Sequence, residues 1–589
     1  MTRSVALQPE RMRYLAPIFL LLLSASPLAL FAQQDPAEHI GVPLDWSTRH
    51  ILFTNQSTPQ DRAAAMRDPR YFINWLQRSS YLAPRDPVDP SLPIVKRHKH
   101  IRVDWAMPLG GTGGMPVGES PAKYSFSENG YNCATDFAVY TISATPSSTQ
   151  ANIVAFNNLY TGTASSSCPF GPQTPPTTDY TQPTFMWSYQ AGTAPSYMSP
   201  TLSLDGTKVA FVENTSPAAN LDILTWVAGQ GTSATAPATP GTGGSSLVRL
   251  SYTTSTATGC NAQATNSNGS PYVDYGSDSA YIGADNGKLY KITGIFKGTP
   301  TVAYCITVKA TALLTSPVYD QITNQVFVSD GFSVYSFTPG ATSFTAGGSI
   351  VVSAATSGDP IVLSPIVDTS NGFVYVFSGS GSGTNKTNSV VSQMNLALTS
   401  QSAAAVGPAQ TTQFILDGDF DNAYFTTGPK TGAGTLYACG TQTGGTKPGL
   451  YALSFASPNG IMNTTPAMSD NVNINGSGNP TGTCSPLLDF YDGTTDRLFV
   501  GAGNYAGTTG ANLVTEWNTS TRIASSTATP NATASNYWGG TSAFTVDNVS
   551  PAPQTTSVYF GTLQSSGTNA LPCGTGQYCA VKLTQNGLQ

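Results

Sequence analysis

The chain has 589 residues, of which only 10% are charged, with 26 Lys and Arg against 32 Asp and Glu. This length exceeds that of an ordinary domain, so either several domains or a repeat array is expected, and the 27 tyrosines and 25 phenylalanines exclude a largely disordered chain. Thirteen of the 26 cations lie at or before Arg102, so the long remainder lacks the basic face that a nucleic-acid partner requires.

The N-terminus has the layout of a secretory signal peptide. Three arginines precede the apolar stretch IFLLLL, and ALFA follows before Gln33. We therefore predict a signal peptide over residues 1–32. A retained anchor is the alternative, because residues 14–32 could almost span a bilayer of about 30 Å. The mature protein is expected to be secreted, periplasmic or on the cell surface, without membrane insertion.

Residues 33–100 are predicted to form a small N-terminal extension. Thr58 with Pro59, and Asp68 with Pro69, are helix starts, so two short helices are expected. The proline-rich stretch 82–93 cannot continue a helix and is interpreted as a stiff linker. The ring described next is expected to fold without residues 33–93.

The pentapeptide SPVYD at Ser316 recurs along the chain, as SPYVD at Ser270, SPIVD at Ser364, SPLLD at Ser485 and more loosely as SPTLSLD at Ser199. A turn and a short apolar run such as VFV or VYV follow most copies. Units then begin at 121, 199, 270, 316, 364, about 413, 485 and about 542. This spacing predicts an all-β fold, a β-propeller of about eight four-stranded blades, with seven as the alternative.

The predicted units assign roles to the repeated residues. Pro lies at the start of the innermost strand, where a missing N–H is tolerated, and Asp caps the following turn. The last unit has only three strands, so residues 101–107, IRVDWAM, are predicted to supply the fourth and to close the ring. The propeller is therefore assigned to residues 101–589.

The SP-x-x-D unit, followed by VYV and by GADNGKLYKITG at 283–294, resembles the repeats of quinoprotein-type (PQQ-like repeat) β-propellers. TLSLDGTKVAFV at 201–212 resembles the blade motif of TolB-like propellers. Both resemblances imply the same fold. A quinoprotein dehydrogenase would also need PQQ, calcium and a catalytic Asp, but the adjacent-cysteine pair of many such enzymes is absent. No cofactor is predicted, and PQQ with calcium belongs only to the alternative function below.

Eight cysteines in a secreted chain predict disulfides, although eight permit 105 connectivities. Sequential pairing keeps each bond within one blade or one blade joint. The expected pairs are Cys133–Cys168, Cys260–Cys305, Cys439–Cys484 and Cys573–Cys579.

Two residue sets were candidates for chemistry. The histidines, which lie before the ring, are His39, His50, His98 and His100. Neither a catalytic Ser–His or Cys–His pair nor a His-ligated metal is therefore expected inside the ring. Asp417, Asp419 and Asp421 alternate as in calcium loops, but Gly428 stands where a closing carboxylate is needed. A solvated turn is favoured, and neither a metal site nor a catalytic residue is predicted.

We therefore expect a secreted, non-enzymatic propeller scaffold that binds an extracellular glycan, peptide or cell-envelope partner. Recognition is assigned to rim loops at 228–244, 378–388 and 427–448, where the units differ most. A monomer is expected. The alternatives are a quinoprotein-like dehydrogenase or a carbohydrate-active enzyme, and a structural surface protein whose insertions mediate assembly.

Overall fold

Short runs of β-branched and aromatic residues, separated by Gly, Asn, Asp and Ser, form strands through most of the chain. The computed structural model describes residues 41–54, 68, 70–71, 73, 101–126, 131–160, 183–215, 218–353, 361–409, 415–442, 448–466, 472–473, 483–491, 495–503, 513–524, 528–535, 537, 539–548, 556–565 and 573–585. The predicted signal peptide, Thr58 and Pro59, the 82–93 linker, Cys168, His39, His98 and His100 lie outside these ranges.

In the described ranges the strands form eight blades, each built on an antiparallel sheet of four strands. First strands contact each other between blades 1 and 2, 3 and 4, 4 and 5, 6 and 7, and 7 and 8. Side-chain hydrogen bonds link blade 2 to blade 3 and blade 5 to blade 6. The first strand of blade 8 contacts that of blade 1, so the ring is closed. The predicted all-β propeller is confirmed with eight blades, and the seven-blade alternative is wrong. The first strand of each blade begins within three residues of the predicted unit start, except in blade 6. There the unit is predicted to start at about 413, and the first strand begins at Asp419.

Blades 1 to 4 keep strand order within each sheet. Blade 1 comprises Ala122–Ser125, Phe137–Thr141, Ile153–Asn157 and Thr184–Tyr189. Blade 2 comprises Thr201–Leu202, Lys208–Thr215, Ala218–Thr225 and Ser246–Leu250. Blade 3 comprises Tyr272–Asp274, Ser279–Gly283, Lys288–Thr293 and Thr301–Thr307. Blade 4 comprises Val318–Asp320, Gln325–Ser329, Ser333–Pro339 and Phe344–Val351.

Blades 5 to 8 contain more irregular pieces. Blade 5 comprises Ile366–Asp368, Phe373–Ser378, Asn388–Asn395 and Gln401–Pro408. Blade 6 comprises Asp419–Phe420, Leu436–Thr441, Pro448–Leu453 and Val472–Asn473, with an added hairpin of Phe455–Ala456 and Ile461–Met462. Blade 7 comprises Leu488–Tyr491, Asp496–Gly503, Leu513–Asn518 and Ala532–Ser535, and Thr483–Cys484 also pairs with its second strand. Blade 8 comprises Thr545–Asn548, Thr556–Gly561, Tyr578–Gln585 and Ile101–Gly110.

Helical pieces are short in the described ranges. They are the 3-10 turns Trp46–Arg49, Tyr252–Thr254, Gly383–Asn385 and Pro429–Thr431, and the α-helix Asn422–Thr426. Residues 70, 71 and 73 are also helical. None of the helices in the described part is long and apolar enough to cross a membrane.

The Asp of the repeated pentapeptide caps the turn after the first strand, as its sequence position predicts. Asp320 Oδ1 accepts from the Ile322 amide at 3.0 Å, and Asp368 Oδ1 accepts from the Asn371 amide at 3.0 Å. These side chains replace backbone partners that a tight turn cannot supply. The repeated Asp is therefore a structural residue in these blades.

The ring closes between the two ends of the blade region. Ile101–Gly110 pairs antiparallel with Tyr578–Gln585, as the outer strand of blade 8. Residues 101–107, which the sequence predicts as the fourth strand of the last blade, lie within this outer strand. A strand from before blade 1 completes blade 8, so ring closure joins residues nearly 500 positions apart.

Residues 41–54, which we call the plug, lie inside the ring. Val42–Leu44 pairs antiparallel with the first strand of blade 1, and Ile51–Leu52 pairs parallel with the first strand of blade 5. Between them, the indole of Trp46 donates to the Pro271 carbonyl of blade 3 at 3.2 Å. The plug therefore crosses the central channel from one side of the ring to the other.

The plug is packed as core. Val42, Leu44 and Ile51 are at most 1% exposed. Gly41 is required for close approach, because a Cβ there would overlap the hydroxyl of Tyr124. The described part of the predicted N-terminal extension is thus a component of the ring core, which argues against the expectation that the ring folds without it.

Three of the four expected disulfides are confirmed by cysteine pairs at bonding distance: Cys260–Cys305, Cys439–Cys484 and Cys573–Cys579. The first two span 45 residues each and the third spans six. The Cys133–Cys168 pairing remains a prediction, since Cys168 is outside the described ranges.

Two predicted rim loops have structural roles. The 228–244 segment folds over the outer strand of blade 1, where the Ser188 amide donates to Gln230 O and the Ala238 amide donates to Ser188 O, both at 2.8 Å. It therefore covers a sheet edge that would otherwise be exposed. The 427–448 segment contains Leu436–Thr441, a strand of blade 6, rather than a loop alone.

We expect Ile51→Ala to lower the free energy of unfolding by about 2–5 kcal/mol, because it leaves a cavity in the filled channel. Ile322→Ala is the matched control, since Ile322 is 40% exposed and its truncation should change stability by no more than about 0.5 kcal/mol. Denaturant unfolding of both variants measures the difference. Equal, small effects would show that the plug does not occupy the channel.

The disulfides are expected to contribute according to the length of chain each one closes. On the chain-entropy relation, loss of Cys260–Cys305 should cost about 4 kcal/mol and loss of Cys573–Cys579 about 2 kcal/mol. Paired Cys→Ser variants, compared by denaturant unfolding, test this order. Peptide mapping without reductant checks the pairing itself, and a bond between cysteines of distant blades would contradict it.

Candidate functional site

The residues that begin the blades meet at one end of the central channel. Two or three positions before each first strand stands a buried polar residue, and together these form what we call the serine belt: Ser120, Ser199, Ser270, Ser316, Ser364, Asp417, Ser485 and Ser542. The Ser120 amide donates to Ser199 Oγ at 2.8 Å, and the Ser199 amide donates to Ser270 Oγ at 3.0 Å. In the same way, the Ser270 amide donates to Ser316 Oγ at 2.7 Å. The recurring serine therefore links one blade to the next.

Glu119 projects into the belt beside these serines. Its Oε2 accepts from the Ser199 hydroxyl at 2.5 Å, the Ser199 amide at 2.8 Å and the Ser270 hydroxyl at 2.9 Å. Gly118, with φ +80°, turns the chain so that the carboxyl reaches the channel. Burial raises the pKa of Glu119, although the three hydrogen bonds oppose this.

On the opposite side of the belt the plug brings His50 to Ser364 and Asp417. His50 Nδ1 lies 2.6 Å from Ser364 Oγ, and Nε2 lies 3.5 Å from Asp417 Oδ2. His50 therefore lies inside the ring, where the sequence predicted no histidine. Sequence reasoning placed this histidine outside the ring because it precedes the first blade, whereas the plug folds back into the channel.

The hydrogen bonds of His50 suit a structural role. Nδ1 also faces the Pro365 carbonyl at 3.3 Å, which can only accept, so a proton on Nδ1 serves both neighbours. Nδ1, which makes the shorter contact with Ser364, could act as a base only if it were unprotonated. Nε2 lies farther from Ser364 Oγ, at 3.3 Å. Burial, with Arg49 close by, lowers the pKa of His50 to about 3, so the imidazole is neutral and Nε2 is the acceptor that faces Asp417.

In blade 6, Asp417 takes the belt position that a serine takes in the other blades. Burial raises its pKa to about 8; Arg49 opposes the shift, and the carboxyls of Glu119 and Asp419 add to it. At neutral pH a proton on Asp417 can be shared with His50 Nε2, which satisfies both buried groups without placing a net charge in the channel.

The three aspartates of the calcium-like pattern point to different partners. Asp417 faces His50, Asp419 Oδ2 accepts from the Asp489 amide at 2.8 Å, and Asp421 caps the helix Asn422–Thr426 by accepting from the Tyr424 amide at 3.0 Å. Across the described residues, no three His, Cys, Asp or Glu side chains converge in a way that could hold a metal ion.

Little free space remains at the belt. The cavity bounded by His50, Glu119, Ser364 and Asp417 has a volume of ≈ 20 Å³. A second cleft, beside Arg49, Asp419 and Tyr491, has a volume of ≈ 60 Å³. The first would hold one water molecule and the second a few, so neither would admit an organic cofactor.

An accessible surface lies on the blade connections that lead into the belt. Tyr197, on the connection into blade 2, is 40% exposed. The connection from blade 2 to blade 3 carries the exposed side chains of Asn261, Gln263 and Asn266. We call these four residues the amide rim.

The two connections of the amide rim are held together. The Asn214 amide donates to Pro195 O at 3.3 Å, and the Asn214 side chain exchanges hydrogen bonds with the Ser267 backbone at 2.8 and 3.0 Å. The Cys260–Cys305 disulfide ties the second connection to the outer strand of blade 3. Sequence reasoning missed this surface because it sought glycine-rich insertions, whereas the connection from blade 2 to blade 3 is rich in amides, as in NAQATNSN at 261–268.

Comparisons with known proteins return folds rather than a family. No family model matches the chain, and no curated protein matches it. Among solved structures, BamB from Moraxella catarrhalis is 11% identical, covering 82% of this chain and 100% of its own, with a TM-score of 0.36. A putative 6-phosphogluconolactonase from Bacteroides fragilis is 12% identical, covering 67% and 96%, with a TM-score of 0.37. Another from Bacteroides uniformis is 13% identical, covering 66% and 96%, with a TM-score of 0.35. At such values no function follows from the similarity.

Asp417 should make the stability of the protein depend on pH. Its carboxyl keeps a proton up to about pH 8 in the folded chain but loses it near pH 4 when unfolded, so stability falls as pH rises between these values. In Asp417→Asn this dependence is absent. We expect the free energy of unfolding of the variant to rise relative to the native chain by up to about 1.4 kcal/mol per pH unit across this window.

Denaturant unfolding at pH 5, 6.5 and 8 measures the difference. Asp205→Asn is the control: burial raises the pKa of Asp205, but hydrogen bonds from Ser203 and Thr207 outweigh burial and bring it below its ordinary value. Its difference from the native chain should therefore be constant over this range. A constant difference for Asp417→Asn as well would refute a protonated carboxyl in the belt.

Proposed function

We propose that the protein is a secreted scaffold, not an enzyme, and that it binds a glycan, peptide or cell-envelope partner through its rim. The observation that carries this proposal is the amide rim, whose exposed tyrosine and exposed amides stand on two connections that hydrogen bonds hold together, the second of them also fixed by a disulfide. Within that description, a neutral, hydroxyl-rich glycan is the partner that the chemistry favours.

The groups of the amide rim match such a ligand. The face of the Tyr197 ring offers an apolar platform for the C–H face of a sugar, and its hydroxyl remains polar. The amides of Asn261, Gln263 and Asn266 can each donate and accept hydrogen bonds, as sugar hydroxyls do. Because the Cys260–Cys305 bond restrains the loop, less conformational entropy is lost on binding.

The filled channel favours the scaffold over the enzyme alternative. A quinoprotein-like dehydrogenase would stack its cofactor in the channel, where Trp46 and His50 of the plug are buried. The disulfides support an oxidising compartment, and hence secretion, the periplasm or the cell surface. We retain a monomer as part of the proposal.

Tyr197→Ala is expected to weaken binding to immobilised polysaccharide or to a cell-envelope fraction by at least about tenfold, because it removes the aromatic contact of the surface. Val351→Ala is the matched control, since Val351 is 57% exposed on the outer strand of blade 4. The control should bind as the native protein does. Equal binding by all three proteins would exclude the amide rim as the recognition surface.

The enzyme alternative is tested on the same preparations. The native protein, incubated with PQQ and calcium, is assayed for oxidation of alcohols and sugars, and without additives for hydrolysis of glycans. The scaffold proposal predicts no turnover above that of heat-denatured protein. Turnover that Asp417→Asn abolishes would overturn it.

A further inference from the structure

The seam between blade 8 and blade 1 contains two lysines with fully buried side chains. Lys123 is on the first strand of blade 1 and Lys582 on the third strand of blade 8, and both side chains are 0% exposed. Lysine is almost never buried so completely unless it is paired. The carboxyls within 4 Å of them belong to Asp104, Asp136 and Asp547, and we call these five residues the seam cluster.

Lys123 and Asp547 are the two members of the cluster that face each other across the seam. Lys123 Nζ lies 3.0 Å from Asp547 Oδ2, and both side chains are 0% exposed. A second carboxyl is close, since Asp136 Oδ2 lies 3.9 Å from the same Nζ. The Tyr160 hydroxyl contacts both carboxyls, at 2.9 Å from Asp136 Oδ2 and 3.1 Å from Asp547 Oδ2.

If Lys123 and Asp547 are ionised, two charges are buried and not every acceptor atom of the pair is satisfied. Asp547 Oδ2 accepts from the Tyr160 and Tyr559 hydroxyls, at 3.1 and 3.2 Å, whereas Oδ1 is buried and has no hydrogen-bond partner among the described residues. A carboxylate there would therefore keep one unsatisfied oxygen. Removing two charges from water costs several kcal/mol per ion, and attraction within the pair offsets this only when every donor and acceptor is satisfied. An amide in place of the pair would carry no charge and would have a single carbonyl oxygen to satisfy.

We propose that Lys123 and Asp547 condense to form an intramolecular amide, an isopeptide bond that joins blade 1 to blade 8. The Lys123 Nζ–Asp547 Cγ bond forms, and one Cγ–O bond breaks. The ammonium and the carboxylate together become an amide and one water molecule, so no oxidant, reductant or other co-reactant is needed. The step is a dehydration, and the water-excluding seam protects the product from hydrolysis.

Asp136 is placed to carry the protons of this step. The amine must lose a proton before it attacks, and the departing oxygen must gain one. Asp136 Oδ2 is near Nζ and is linked to the Asp547 carboxyl through the Tyr160 hydroxyl. Burial raises the pKa of Asp136, although Lys123 opposes the shift, which favours the protonated carboxyl that donates to the leaving oxygen.

Lys582 provides the internal comparison. Its Nζ lies 3.2 Å from Asp104 Oδ2 and also donates to the Leu159 carbonyl at 3.0 Å. Asp104 lies on the closing strand within the same blade as Lys582, so this pair would not bridge the seam. We assign the condensation to Lys123 and Asp547 only.

Mass spectrometry of the folded native protein after proteolysis tests the proposal directly. We expect a branched peptide that joins the Lys123 peptide to the Asp547 peptide and is lighter than their sum by the mass of one water. Recovery of the two linear peptides alone would overturn the proposal. A branched peptide between Lys582 and Asp104 would overturn the assignment.

Two variants of nearly unchanged side-chain shape, Asp547→Asn and Asp136→Asn, distinguish loss of the condensation from loss of packing. Asp547→Asn should give the same branched peptide as the native protein, because ammonia leaves in place of water. Asp136→Asn should give linear peptides only, since the proton carrier is lost. Asp104→Asn is the control and should retain the branched peptide. Should any variant fail to fold, the native protein alone still decides, because its peptides are either branched or linear.

Discussion

The interaction on which this structure depends is the closure of the ring around its own N-terminal segment. Eight blades would leave an open sheet edge in blade 8 and an unfilled channel at the centre. The strand Ile101–Gly110 completes the edge, and the plug at 41–54 fills the channel by pairing with blades 1 and 5. Residues from before the first blade therefore satisfy both requirements, and the described residues from 41 onward belong to one compact unit.

Closing and filling the ring also explains why the polar side chains of the channel are hydrogen-bonded to one another. Buried polar groups lose their water, so each must find a partner inside the protein. The serine belt does this by passing amide-to-hydroxyl hydrogen bonds from blade to blade, and Glu119 and Asp417 occupy positions where hydroxyls or His50 can face them. These groups join neighbouring blades and leave little internal space at the belt.

Local features of the structure could be predicted from the sequence, and distant pairings could not. The SP-x-x-D units located the first strands because Pro, the apolar pair and Asp act within a few residues of one another. The plug escaped prediction because His50 and Ser364 are 314 positions apart, and the short strands around Pro43 and Leu52 have no repeat to identify them. Glu119 and Lys123 were missed for a related reason, since Glu119 is bonded to serines that precede blades 2 and 3 and Lys123 faces Asp547 of blade 8. Tyr197 carried a weak signal, as an aromatic residue just before a blade start.

The central claim, that the plug fills the channel, is tested most directly by hydrogen exchange at single-residue resolution in blade 5. The amides of Val367 and Thr369 donate to the carbonyls of His50 and Leu52, at 2.9 and 3.1 Å, and both point away from the neighbouring strand of their own blade. With the plug in place, these two amides should exchange as slowly as those of the buried strand Phe373–Ser378. Exchange as fast as in an exposed loop, while Phe373–Ser378 remains protected, would contradict the account.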